Sequence, residues 1–215
     1  MTVPANSRVF AIDDDPSVRK ALSRMLRVAG YQSEIFESAS DFLKRKQHTG
    51  PTCVIVDVRM PGINGMDLQE SLIQHGREEQ LVFVTGHGDI SMCAQAMKAG
   101  AVDFLSKPIR SDELLQCVER ALLRSAQQRR QSAERDRVQQ LLSLLTPREF
   151  EVMQLVIRGM LNKQIAGELS RAEKTVKVHR GRMMRKMHVT SVADLVRLIE
   201  GTSITPHARY ETKVS

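Results

Sequence analysis

Five side chains in the first half of this 215-residue sequence could act together on a phosphoryl group: Asp13, Asp14, Asp57, Thr85 and Lys107. Three carboxylates held together repel one another. A hard divalent cation relieves that repulsion, and oxygen ligands of this kind suit Mg2+. With such an ion between Asp14 and Asp57, Asp57 could attack a phosphoryl donor as a nucleophile and form an acyl phosphate. The metal and the Lys107 ammonium would screen the equatorial oxygens of the transferring group, and the Thr85 hydroxyl could then bond one of them. Singly these residues say little: an acid after a strand commonly caps the next helix, as Asp15 is expected to do, and a lone Lys107-Pro108 is a turn. The joint pattern carries the reading if the five converge.

Convergence depends on the elements around them. Short apolar runs at 9–12, 53–56, 81–84 and 102–105, with a weaker one at 32–36, predict five strands, the four stronger ones buried on both faces. Helical patterns lie between. Asp15 can cap a helix with Pro16 in its first position, Val18, Ala21, Leu22, Met25 and Leu26 following at helical spacing until Gly30. Ile90, Cys93, Ala94 and Met97 form a similar face before Gly100. Leu114, Leu115, Val118 and Leu122 form another after Ser111. Strands alternating with helices imply a parallel sheet covered on both faces, joined by right-handed crossovers. Such sheets place their sites outside the carboxyl ends of the strands. There the first strand runs into Asp13 and Asp14, the third into Asp57, the fourth into Thr85, and the fifth through Ser106 to Lys107.

On these residues the first half resembles a bacterial response-regulator receiver domain, over residues 7–125. The resemblance rests on Asp13-Asp14, on Asp57-Val58-Arg59-Met60-Pro61-Gly62, on Thr85-Gly86-His87-Gly88-Asp89 and on Lys107-Pro108. It implies a flavodoxin-like, doubly wound five-stranded sheet with Asp57 as phosphoacceptor. It implies Asp14, Asp57 and the backbone carbonyl of Arg59 as Mg2+ ligands, with Asp13 reaching the ion through water. It also implies a cis peptide before Pro108 and a switch pair, Thr85 and Phe104. In that switch the phosphate draws the Thr85 hydroxyl in, and the Phe104 ring turns into the vacated space, biasing a two-state surface.

Basic residues gather toward the C-terminus. Residues 1–118 hold 13 Lys/Arg against 15 Asp/Glu, whereas residues 141–200 hold 11 against 6. A polyanionic partner or a solvated basic surface would each account for this, and charge alone does not choose. The stretch 119–145 has no Gly or Pro and is rich in Gln, Arg, Ala and Glu, which predicts that the last receiver helix runs on to about residue 140. Val138, Leu141, Leu142 and Leu145 form an apolar face there. It could pack on a second domain or make a short helical contact between two chains, and one partial heptad does not decide.

The second half reads as four short helices. Thr146-Pro147-Arg148-Glu149 is a capping box with proline in the first turn, Phe150, Met153 and Ile157 line a face, and Gly159 stops the helix. Asn162 is expected to cap the second helix, which carries Ile165, Ala166 and Leu169. A turn at 170–172 follows, then a third helix from Glu173 to Met187 and a fourth over 191–199. This is the layout of an all-α helix-turn-helix domain. The third helix bears Lys174, Lys177, Arg180, Arg182, Arg185 and Lys186, with Val176, Met183 and Met187 available to the core. A basic helix is often plain solvated surface. As the second helix of a helix-turn-helix pair it fits a DNA major groove.

Residues 143–200 are similar to the LuxR-type domain of NarL/FixJ-type regulators, through Leu145-Thr146-Pro147-Arg148-Glu149, Gly159, Asn162-Lys163-Gln164-Ile165-Ala166 and Thr175-Val176-Lys177-Val178-His179. Within that group the chain looks most like regulators of aromatic-hydrocarbon degradation, such as that of styrene catabolism. The resemblance implies that Lys177 and Val178 approach base edges with Gly181 or Arg182 nearby, that Thr175, Lys163 and Arg180 hold phosphates, and that Lys174 and Arg185 extend the same basic surface. It also makes the fourth helix a dimer contact on DNA. Ser170 and Arg171 depart from the pattern: they replace the usual glycine and apolar residue of the turn, so a slightly altered turn is expected.

The expected organisation is a tail (1–6), a receiver (7–125), a helical linker (126–142), a LuxR-type domain (143–200) and a disordered tail (201–215). The expected function is a two-component transcription factor, not a conventional enzyme, phosphorylated on Asp57 by a histidine kinase, dimerising and binding paired half-sites, with RNA polymerase as a further candidate partner. The alternative is a phosphorylation-independent DNA-binding protein that uses its receiver only to dimerise. A phosphatase is disfavoured because Arg59, two residues after Asp57, cannot serve as a general acid. With no signal-peptide pattern, no run near the roughly 20 apolar residues of a membrane span, and three cysteines (Cys53, Cys93, Cys117) without metal-ligand spacing, a cytoplasmic protein with reduced thiols is expected.

Overall fold

The computed structural model describes residues 3–86 and 90–201, without the Ile90 side chain. The expectations for His87-Gly88-Asp89, for the Ile90 side chain and for the tail from 202 onward therefore lie outside the described residues. Contacts divide the chain into two compact units, Met1–Arg129 and Arg130–Ser215.

The first unit is a five-stranded parallel sheet in the order β2-β1-β3-β4-β5. Its strands are β1 (Arg8–Ile12), β2 (Ser33–Phe36), β3 (Thr52–Asp57), β4 (Gln80–Thr85) and β5 (Asp103–Ser106). The helices are α1 (Pro16–Val28), α2 (Ala39–Lys44), α3 (Gly65–Gln74), α4 (Ile90–Lys98) and α5 (Ser111–Ser143). One layer packs Leu22 and Leu26 of α1 and Leu114, Val118 and Leu122 of α5 against Val9, Ile55 and Val82. The other packs Phe42 of α2, Leu68 and Leu72 of α3 and Ala96 of α4 against Phe10, Val54 and Phe83. The sheet is doubly wound, as expected, and its order reverses between β1 and β3, where ligands of such folds bind.

Three details correct the expectations. Only β1, β3 and β4 are buried nearly throughout. β5 starts one residue later than predicted and is only partly covered, because it is an edge strand. Ala21 of α1 faces solvent. On α4 the inward residues are Met92, Cys93 and Ala96, while Ala94 and Met97 face out. That segment carries two overlapping apolar stripes, and packing on the sheet chooses the other one.

α1 begins as expected: Asp15 accepts the Ser17 amide at 2.7 Å, and Pro16 occupies the first turn. α5 is one helix through Ser143. Its receiver part is fastened to the lower rim of the sheet. Buried Ser125 Oγ accepts the Thr52 amide at 3.0 Å, Gln128 accepts from Gln80, and Arg129 donates to the carbonyls of His48 and Thr49.

The second unit packs four helices, α6 (Pro147–Ile157), α7 (Asn162–Glu168), α8 (Glu173–Lys186) and α9 (Val192–Glu200). Val138, Leu142 and Leu145 from the end of α5 and its exit lie in the same core as Phe150, Met153, Ile165, Val176, Met183, Met187 and Leu195. Of the two uses open to those leucines, the structure has them pack on the helical domain. Thr146 and Glu149 form the expected capping box. Asn162 does not cap α7. Leu161 holds that position, with its amide bonded to Gln164 at 2.8 Å, and Asn162 Oδ1 accepts from Arg180 Nη1 at 2.8 Å instead.

The turn after α7 keeps its shape despite its unusual residues. Ser170 stands at φ 50°. Its amide bonds the Gly167 carbonyl at 3.2 Å, and the Arg171 amide bonds that of Ala166 at 2.9 Å, the paired closure of a helix C-terminus. A residue with a Cβ is strained in this left-handed region. Ser170→Gly is therefore expected to raise stability by about 0.5–1 kcal/mol, the relief being partly offset by the extra freedom of an unfolded glycine. Urea unfolding followed by circular dichroism checks this, and a destabilised variant would contradict it.

Candidate functional site

Asp13, Asp14, Asp57, Thr85 and Lys107 lie at one end of the sheet. Parallel in-register pairing sets them there: Val56 of β3 pairs with Ile12 of β1 and with Phe83 of β4, and Thr85 pairs with Ser106 of β5. Asp13 and Asp14 follow β1, Asp57 and Thr85 end β3 and β4, and Lys107 follows β5. Lys107 Nζ donates to Asp13 Oδ2 at 2.8 Å and to Asp57 Oδ2 at 2.6 Å. Carboxylate oxygens of Asp13, Asp14 and Asp57 lie within 4.8 Å of one another. Asp13 is 1% exposed and Asp57 8%, while Asp14 is open to solvent.

The electrostatics follow from this packing. Burial raises the Asp13 pKa above its usual value, more than Lys107 and the Asp15 amide lower it. Burial acts to lower the Lys107 pKa, but its bonds to Asp13 and Asp57 outweigh that and raise it. One ammonium thus holds two carboxylates beside a third. Three hard oxygen donors in this space fit a divalent cation such as Mg2+.

Backbone contacts shape the rim. The Arg59 amide bonds Asp57 Oδ1 at 3.1 Å, and the Lys107 amide bonds the Thr85 carbonyl at 2.7 Å. The Lys107-Pro108 peptide is cis. Thr85 is buried, and Phe104 is half-buried with its ring 5.9 Å from that of Phe83, two residues before Thr85. Phe83 and Phe104 are register partners, so Thr85 and Phe104 share a face of the sheet.

Two positioning residues carry no mark in the sequence. Arg19 Nη1 donates to the carbonyls of Asp13 and Asp14 at 2.9 and 2.8 Å, fixing the acidic loop. Gly65 begins α3 beneath the site, and a Cβ there would lie 2.6 Å from the Asp57 carbonyl and 3.1 Å from Phe83. Gly65→Ala must displace the β3–α3 connection. It should cost about 1–3 kcal/mol. Urea unfolding of the variant tests this, and a wild-type stability would refute it.

In the second unit, Lys174, Lys177, Val178, Gly181, Arg182 and Arg185 are all exposed on α8. Their spacing puts them on one stripe of the helix, opposite the buried Val176, Met183 and Met187. Val178 is 45% exposed within this stripe. Thr175 is exposed beside it, and Lys163 is exposed on α7. Arg180 is half-buried on the inner side, where Asn162 holds it. Lys186, read as basic surface, is a structural residue: its Nζ donates to Glu149 at 2.5 Å and to the Leu144 carbonyl at 3.0 Å. Burial acts to raise the Glu149 pKa, but bonds from Lys186 and the Thr146 amide outweigh it and hold it low.

A doubly wound sheet with an acidic cluster and a lysine at the switch point, followed by a helix-turn-helix with a basic second helix, defines a response regulator that acts on DNA. Residues 9–119 match the response regulator receiver domain family, and residues 143–199 match the luxR family of bacterial regulatory proteins. The chain belongs to the NarL/FixJ type of response regulator, and it is a transcriptional regulator with a LuxR-type DNA-binding domain. It is 45% identical over 194 residues to response regulator protein TodT of Pseudomonas putida, covering 90% of this chain and 86% of that protein. Over 206 residues it is 42% identical to nodulation protein W of Bradyrhizobium diazoefficiens, covering 96% and 91%. Among solved structures it is similar to response regulator StyR, with a TM-score of 0.81 and 48% identity, covering 91% of this chain and 99% of that one. No helix among the described residues is long and apolar enough to cross a membrane.

Proposed function

We propose that a partner histidine kinase phosphorylates Asp57 and that this controls DNA binding by the LuxR-type domain. The observation that carries the reading is the Lys107 ammonium shared between Asp13 and Asp57, with Asp14 beside them. An Asp57 carboxylate oxygen forms the new bond to phosphorus as the bond to the kinase's phosphohistidine nitrogen breaks, and the imidazole leaves with that electron pair. Asp14, Asp57 and the Arg59 carbonyl would hold Mg2+, with Asp13 through water, and the ion would supply charge neutralisation. Lys107 screens the phosphoryl oxygens, and the Thr85 hydroxyl donates to one of them. Phe104 then turns inward, remodelling the α4–β5–α5 surface.

In this reading the phosphorylated chain dimerises and binds paired half-sites through the major groove. Lys177, Val178, Gly181 and Arg182 face the bases, and Lys163, Lys174, Thr175, Arg180 and Arg185 face the backbone. Residues 7–125 act as receiver, 126–142 as linker and 143–200 as reader, in the cytoplasm, with RNA polymerase a further partner. The receiver assists only the phosphorylation and dephosphorylation of its own aspartate. Selection of bound duplexes from a random pool, with and without acetyl phosphate and Mg2+, tests the whole reading. A paired site enriched only with the donor is expected. Equal enrichment in both arms would leave the receiver as a dimerisation module alone.

A further inference from the structure

A cavity of about 260 Å³ opens behind the turn that joins α7 to α8. Its origin is local. Leu169 caps α7, Ser170 takes the left-handed conformation, and Arg171 closes the turn with its amide on Ala166. The residue in the Arg171 position of such a closure commonly lays an apolar side chain against the preceding helix. Arg171 is instead exposed, and the notch stays open.

The lining has two characters. Val152, Leu169 and Val176 give it an apolar floor, and Arg171, Thr175 and His179 bring polar groups to it. At the rim Arg148 and Glu151 neutralise each other, with Nη1 and Oε2 at 2.7 Å. Arg171 has no ion pair and no side-chain hydrogen bond among the described residues, which leaves the cavity a net positive charge. His179 Nδ1 is buried and likewise has no partner among the described residues.

We infer that this cavity binds a small carboxylate with an apolar body of one ring or a short chain. The Arg171 guanidinium receives the carboxylate as a planar pair of donors. His179 offers a further polar partner, and the three aliphatic side chains cover the body. Small-molecule sites commonly have this composition, an apolar wall with a few convergent polar groups. The site is built wholly from residues of the second unit, and its occupant would touch α6 and α8 together.

The test is a titration of the full chain, labelled with nitrogen-15, with hexanoate, benzoate and inorganic phosphate, followed by amide chemical shifts. Saturable shifts with one or both carboxylates, centred on Val152, Leu169, Thr175, Val176 and His179, are expected with a Kd of about 1 mM or tighter. Phosphate should cause none. Arg171→Ile, which plugs the notch, and Arg171→Gln, which keeps the space but removes the charge at an exposed position, should each weaken binding about tenfold or more. Duplex DNA should bind without displacing the carboxylate, because Arg171, the group that receives it, is outside the proposed DNA contacts. The proposal is overturned by an absence of saturable shifts, by equal shifts with phosphate, by unchanged binding in both variants, or by displacement with DNA, which would give the cations to the nucleic-acid backbone.

Discussion

Asp57→Asn will abolish phosphoryl uptake from acetyl phosphate and, with it, any donor-stimulated gain in DNA binding. The amide is nearly isosteric, so the rim of the sheet keeps its shape and the chain still folds. What disappears is the nucleophile: an amide oxygen lacks the charge to displace a leaving group from phosphorus. Lys107 keeps Asp13 as a partner, at 2.8 Å, so its ammonium stays in place. Uptake is read by intact-mass spectrometry and binding by fluorescence anisotropy on a selected duplex. Donor-stimulated binding that survives in this variant would remove Asp57 from the mechanism.

The second large effect is expected at Lys107. Its ammonium is bonded to Asp13 and Asp57 before any phosphate arrives. Lys107→Ala therefore has two consequences. It leaves buried Asp13 facing Asp57 without the shared cation, so that like charges meet at the nucleophile. It also removes a fixed donor from the developing charge on the phosphoryl oxygens, and losses of such donors cost about 10²- to 10³-fold in rate. The expected result is a fall of that order in the rate of Asp57 phosphorylation. Lys107→Arg should restore only part of it, because a planar fork does not reproduce a point charge between two carboxylates. A rate for the alanine variant within about tenfold of wild type, well short of the loss such donors bring, would show that Lys107 only stabilises the resting site.

Much of this was legible in the sequence because it depended on strand ends. Parallel strands begin and end nearly together, so an acid after one run, an acid after another and a lysine after a third must meet. The helix-turn-helix was legible for a similar reason: Thr146, Pro147 and Glu149 announce a helix start by local chemistry alone. What stayed hidden was decided across distance. Arg19 reaches the carbonyls of Asp13 and Asp14 from the first turn of α1, and nothing in its neighbours marks that. The inward face of α4 was ambiguous because Met92-Cys93-Ala96 and Cys93-Ala94-Met97 are both acceptable stripes, and the sheet selects between them. Asn162 has the right type to cap α7, but Arg180, 18 residues later, claims its oxygen. Gly65 gave no signal of its own, since its need for a bare Cα comes from the carbonyl of Asp57 above it.

The engagement of Lys186 with Glu149 changes how this protein should respond to ionic strength. Binding to duplex DNA releases condensed counterions, and log K falls with log salt by about 0.9 per phosphate neutralised. Were every basic residue of α8 free to meet the backbone, each domain would contribute a slope of about −5.4 from that helix. With Lys186 paired to Glu149, and with Lys177 and Arg182 turned to the bases in the proposed complex, three cations of α8 (Lys174, Arg180 and Arg185) are left to the phosphates, and the contribution drops to about −2.7. Salt titrations of duplex binding check the count: Arg185→Gln should flatten the slope by up to about 0.9 per domain, and Lys186→Gln should leave it unchanged. Of the six positive charges on the reading helix, one thus serves its architecture and two are turned to the bases, so its grip on DNA should be less sensitive to a rise in cellular potassium than its composition implies.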